Sequence, residues 1–151
     1  MFGKLFKNAS KAFDSVVQGA KAAGNRHLGP DYLKACAFLG AGVAAADGSI
    51  DDSEVQVLVA VMRDMEELKA YGDDEIMDAV SAGVGKWKIA PAIGKMETQK
   101  LLKALDNEKQ QYALAIGCAI GGADGDFDDD EKALISDFAK LVGINPADLG
   151  I

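Results

Sequence analysis

Six acidic side chains fall within eight residues near the end of this sequence: Asp124, Asp126, Asp128, Asp129, Asp130 and Glu131. Carboxylates at that density raise one another's pKa values and oppose compaction unless a cation neutralises them. Every donor is an oxygen, which suits Ca2+ or Mg2+, with Ca2+ preferred, and not zinc or copper. The pattern is not an EF-hand. Asp124, Asp126 and Asp128 match its first ligand positions, but Asp129 replaces the turn glycine and Ile135 replaces the closing bidentate Glu. A different geometry has Asp124 at a helix end, Asp128 beginning the next helix and Glu131 one turn inside it, converging on one ion. A plainer reading competes. Asp128-x-x-Glu131, like Asp51-x-x-Glu54 earlier in the chain, has capping-box spacing, in which the Asp accepts from the N3 amide while the Glu reaches back. Each cap stabilises its helix by about 1 kcal/mol. Capping accounts for these spacings but not for the surplus of acids.

The loop occurs twice. Ala46-Asp47-Gly48-Ser49-Ile50-Asp51-Asp52-Ser53-Glu54 returns, 77 residues later, as Ala123-Asp124-Gly125-Asp126-Phe127-Asp128-Asp129-Asp130-Glu131. Asp47, Asp51 and Glu54 therefore form a second candidate ion site. It is poorer in acids, with Ser49 and Ser53 where the other loop has Asp126 and Asp130. The flanks obey the same shift, pairing Gly40 with Gly117, Leu58 with Ile135, Val61 with Phe138 and Met65 with Val142. Gly48 and Gly125 are placed to end a helix in the left-handed conformation, with Ile50 and Phe127 tucked under the loop. Small residues lead into each loop, so the incoming helices can pack closely. About 31–65 and 108–142 read as two helix-loop-helix repeats of a pseudo-symmetric bundle.

The elements that must position these loops are helical almost throughout. Phe2, Leu5, Phe6, Ala9, Phe13, Val16, Val17 and Ala20 recur at helical spacing, with the lysines mostly off the apolar stripe. Further helices are expected at about 31–46, 52–65, 72–83, 95–105, 107–123 and 129–142, with a closing turn at Asn145-Pro146. The stretch 85–94, containing Pro91, reads as a longer connection. No alternating β-branched run is long enough for a strand. The expected fold is all-α, a compact bundle of about seven helices, divided into a basic amphipathic helix with linker over 1–29 and a helical domain over 30–151.

Composition narrows the function. At 151 residues, with 49% hydrophobic and 26% charged residues, the chain reads as one globular domain. Its net charge of −8 argues against nucleic-acid binding, which needs a dominant basic face. The charge is bipolar: Lys4, Lys7, Lys11, Lys21 and Arg26 face only Asp14 within 1–29. A second basic island, 86–103, sets Lys86, Lys88, Lys95, Lys100 and Lys103 against Glu97 alone. Cys36 and Cys118 imply no disulfide framework and fit a reduced cytosolic setting. His27 is the single histidine, which works against zinc sites and a Ser-His-Asp triad. No stretch reaches the roughly 18 apolar residues of a membrane span. Met1 to Lys7 is basic without an apolar core following, so no signal peptide is expected and the whole chain is the expected mature form.

The repeated Ala-Asp-Gly-x-apolar-x-x-x-Glu pattern resembles the TerB family of tellurite-resistance proteins. Asp124-Gly125-Asp126-Phe127-Asp128-Asp129-Asp130-Glu131-Lys132, Asn145-Pro146-Ala147-Asp148-Leu149-Gly150 and Gly94-Lys95-Met96-Glu97-Thr98 carry the likeness further. The resemblance implies a helical, non-enzymatic scaffold of tellurite-resistance and stress-response systems. It also implies a divalent cation at the acidic loops, and integral-membrane and calcium-binding proteins of the same system as partners. Carried over by position, Asp47, Asp51, Glu54, Asp124, Asp128 and Glu131 are the metal candidates, with Glu97 a weaker one.

Other readings are set against this one. Residues 1–20 could lie on an anionic membrane, apolar side in and lysines at the headgroups, making the protein cytoplasmic and peripheral at the inner face of the cell membrane. The same face packed on the bundle or a partner is the plainer alternative. Trp87 and Tyr71 read first as packing residues and second as an interface; Cys36, Cys118 and His27 read as structural. Direct capture of tellurite is disfavoured because an oxyanion is repelled by acidic loops and prefers helix N-termini and lysines. Reduction of tellurite lacks a Cys-x-x-Cys pair or a cofactor fingerprint. A carboxylate-pair hydrolase is a distant third, behind the cation-binding scaffold and a metal-free helical adaptor whose acidic loops are caps and partner contacts.

Overall fold

Pro30 opens the helix around which the others are arranged. Proline costs nothing at a first helical position, where its missing N–H has no partner to lose. Gly29 turns the chain into it with φ 95°, a conformation that side chains resist. The Tyr71 hydroxyl fixes that turn, accepting from the Leu28 amide at 3.1 Å and donating to the Gly29 carbonyl at 2.9 Å. The helix that follows, α1 (Pro30–Ala45), is buried at every residue from Ala35 to Val43. A helix apolar on all faces belongs in a core.

The computed structural model describes residues 18–22, 28–46, 50–123 and 127–151. After α1 come α2 (Asp52–Asp64), a 3-10 turn (Glu66–Leu68), α3 (Asp73–Ile89) and α4 (Pro91–Lys103). The chain continues with α5 (Asn107–Gly121), α6 (Asp129–Leu141) and a closing 3-10 turn (Pro146–Leu149). Residues 18–22 are also helical, and no strand occurs among the described residues. The expected all-α bundle is the fold observed. α1 packs chiefly on α3, α5 and α4, and α5 is buried without a break from Ala113 to Ala119.

The sequence repeat becomes a repeat of packing. α1 meets α2 as α5 meets α6, and the same paired positions make both contacts. A Cβ at Gly40 would lie 2.9 Å from Cδ1 of Leu58, and one at Gly117 would lie 2.9 Å from Cδ1 of Ile135. Glycine at each position lets a branched side chain of the second helix rest on the first helix's backbone. Below the loops, Ile50 is buried and Phe127 packs against Gly121. Gly48 and Gly125, expected as left-handed helix ends, lie outside the described residues, as does His27.

One expectation is corrected. The stretch 85–94 is not a long connection: α3 runs on to Ile89, Ala90 alone breaks the helix, and α4 starts at Pro91. Gly85 is tolerated inside the helix, and Pro91 takes the position where proline is harmless. Trp87 holds the corner. Its indole N–H donates to the Phe38 carbonyl at 2.9 Å, and its ring lies so close to Gly42 and Gly94 that a Cβ at either would overlap it. Trp87 and Tyr71, both buried, are packing residues as first read.

Candidate functional site

At both loops the first acid of the new helix does its local work. Asp51 is the N-cap of α2: its Oδ1 accepts from the Glu54 amide at 2.8 Å and from the Ser53 hydroxyl at 2.7 Å. These two donors hold its carboxyl below the usual carboxylate value, the Ser53 hydroxyl most and the Glu54 amide next. Asp128 caps α6 in the same way, accepting from the Glu131 amide at 2.9 Å. Here the box closes, because Glu131 Oε1 accepts from the Asp128 amide at 3.2 Å. The expected capping box is therefore complete in the second loop. In the first, the described bonds are those to Asp51, with the Ser53 hydroxyl as the added donor.

A groove of about 470 Å³ joins the two loops. Ser53, Glu54, Val57, Leu58 and Val61 of α2 form one wall. Ile120 and Gly121 of α5, with Ala123, Asp128 and Glu131, form the other, and Val43 and Ala44 of α1 also line it. The spacing treats Asp47/Asp51/Glu54 and Asp124/Asp128/Glu131 as separate sites. The fold instead brings Glu54, Asp128 and Glu131 to a single concavity. Asp51 stands at the start of the same helix but does not line it. Asp47 and Asp124 lie outside the described residues. Among the described residues no three acidic, His or Cys side chains are gathered closely enough to hold an ion by themselves.

The donor set is chemically suited to a hard cation. It consists of carboxylates and a hydroxyl, and each cap engages one oxygen of an Asp that has two, with about four lone-pair sites. Glu97 is not part of this set: it sits on α4 with its carboxylate 3.9 Å from Lys100. Two more lysines of the second basic island stand near acids, Lys88 by Asp52 at 4.0 Å and Lys95 by Asp137 at 3.8 Å. Exposed pairs at these distances contribute little stability. Both cysteines are fully buried, and burial pushes the Cys36 thiol up and that of Cys118 up to about 12. They are poor nucleophiles and poor metal ligands.

The apolar half of the groove is what spacing alone missed. Val57 is 61% exposed although it lies between buried Leu58 and half-buried Val55 on the same helix. The signal was present: Val55, Val57, Leu58, Val59 and Val61 put apolar groups on more faces of α2 than one core contact uses.

Residues 33–150 match the family model described as "Tellurite resistance protein TerB". Over 116 residues the chain is 26% identical to the Tellurium resistance protein TerB of Alcaligenes sp, covering 70% of this chain and 95% of that protein. No solved structure matches the chain.

Proposed function

Since the chain belongs to the TerB family of tellurite-resistance proteins, we propose that it serves as a non-enzymatic scaffold that binds a divalent cation. The observation that carries this reading is the convergence of Glu54, Asp128 and Glu131, from two separate loops, on one groove. Acids from opposite repeats line that groove, and a cation between the loops would draw oxygens from both. Asp51 at the neighbouring helix start, and Asp47 and Asp124 by their positions in the sequence, are the further ligand candidates. Ca2+ suits such a set better than Mg2+, since it accepts more oxygen ligands in looser geometry. The ion would join the two helix-loop-helix units and set the shape of the surface they offer. Integral-membrane and calcium-binding proteins of the tellurite-resistance system are the proposed partners, and the cytoplasmic side of the membrane the proposed place. No helix of the described residues is long and apolar enough to cross a membrane.

A metal-free adaptor is the competing reading, favoured by the observation that Asp51 and Asp128 already have employment as caps. Calorimetric titration of chelator-treated protein with Ca2+ and Mg2+ separates the two, with an Asp124→Asn/Asp128→Asn variant alongside. Asparagine caps as well as aspartate, so the variant keeps its helix start and loses ligand charge. Micromolar Ca2+ binding that the variant abolishes is the expected result. No heat at millimolar Ca2+ or Mg2+, with the fold intact, overturns the cation reading and leaves capping.

A further inference from the structure

The groove has an apolar wall that no described element covers, and an acidic end. Met77, Ile89 and Met96 are also exposed, but they do not line it, and single exposed apolar side chains need no explanation. Val57 differs, being largely exposed within a concavity that it lines together with Leu58, Val61 and Ile120. Glu54, Asp128 and Glu131 line the same concavity, and no described lysine or arginine does. The two chemistries are segregated lengthwise. Asp128 caps α6 and Glu131 lies in its first turn, as Glu54 does in that of α2, so the carboxylates sit where the two helices start. Val57 and Val61 follow Glu54 by three and seven residues, on the same side of α2 and about 4 and 10 Å further along it.

We propose that this groove docks a basic amphipathic helix of a partner protein, one whose cations lie on the same stripe as its apolar anchors and a turn ahead of them. Helix-in-groove recognition places anchors at i, i+3 or i+4, and i+7. The α2 wall offers an acid at the first of these positions and valines at the next two. Arginine suits the acidic end, because its guanidinium pairs with carboxylates in a bidentate fork. Charge complementarity makes the requirement selective. An acidic amphipathic helix would set like charges against Glu54, Asp128 and Glu131. A helix with its cations opposite its anchors would turn them to solvent once seated. Residues 1–17 of this chain are of that last kind: at helical spacing Lys4, Lys7 and Lys11 fall opposite Phe2, Leu5, Phe6 and Phe13, which removes that segment as the occupant. The proposal goes beyond the cation reading but shares its acidic rim, so it is tested in chelator, where its failure leaves that reading untouched.

The test titrates the full chain into fluorescein-labelled, alanine-based helical peptides and follows their anisotropy. One peptide carries two arginines a turn apart, then two leucines continuing the same stripe over the next two turns. A second has the same composition with both arginines moved to the opposite face. The first is expected to bind about tenfold more tightly than the second, or better. Val57→Asp and Glu54→Arg should each weaken the first peptide by about tenfold. Met77→Asp, at an exposed position outside the groove, should leave it unchanged. Circular dichroism checks that each variant keeps its helical fold. Equal or absent binding of the two arginine peptides leaves at most a general attraction between a basic peptide and an acidic chain, and overturns the proposal. Equal binding by the native and Val57→Asp chains overturns it too. Self-association of the native chain that Val57→Asp abolishes, seen by sedimentation without peptide, overturns it in favour of a second copy as occupant.

Discussion

Glu67 lies buried in the short turn after α2, where burial pushes its carboxyl above the ordinary value. Its own backbone amide and Lys21 oppose the rise, and Glu66 adds to it. Tyr32 feels its charge as well. A carboxyl raised in this way adds its stability below the ordinary Glu value and loses it as pH climbs through the raised one. Glu67→Gln should therefore be more stable than the native chain at pH 7, with the difference shrinking towards pH 4. Urea midpoints at the two pH values check this, and equal midpoints at pH 7 would refute it. Asp51 has the opposite sign. Its depressed carboxyl contributes above the ordinary Asp value, and the contribution is lost as pH falls through the lowered one. The role of Asp51 was legible from its spacing to Glu54, because capping is a local event between neighbours. The burial of Glu67 was not legible, because it depends on what the 3-10 turn is packed against.

Helix boundaries were legible where the sequence carries a cap and obscure where it carries only breakers. Asp51, Asp106 and Asp128 each accept from an amide three residues on, and all three helix starts were expected within a residue or so. Gly85, Pro91 and Gly94 looked like a connection because glycine and proline usually punctuate. Their roles are in fact three different ones. Pro91 occupies a first helical position, Gly94 makes room for Trp87, and Gly85 touches nothing within 4 Å. This difference gives opposite outcomes for the same substitution. Gly85→Ala gains helix propensity with no new contact and should stabilise by up to about 1 kcal/mol. Gly94→Ala gains the same propensity but drives a methyl into the Trp87 ring, and should destabilise by about 1–3 kcal/mol. Chemical denaturation of the two variants decides it. A stabilising Gly94→Ala would mean that Trp87 can move, and that its bond to the Phe38 carbonyl does not hold the corner.

At the scale of the whole molecule the repeat is the feature that brings the two loops to one groove. The repeat was visible in the sequence because its markers are charged, exposed and repeated at one fixed offset. The meeting of both loops at one groove was not, since it depends on how α1 and α5 lie in the bundle. That meeting would make both repeats answer to one ion. Ca2+ that binds only the folded chain should raise its urea midpoint, by about 2.7 kcal/mol of stability at a hundredfold excess over Kd. Glu54→Gln should reduce that gain as Asp128→Asn does, although the two residues stand in opposite repeats. An undiminished gain in Glu54→Gln, with the gain lost in Asp128→Asn, would mean that the ion is held by the second loop alone.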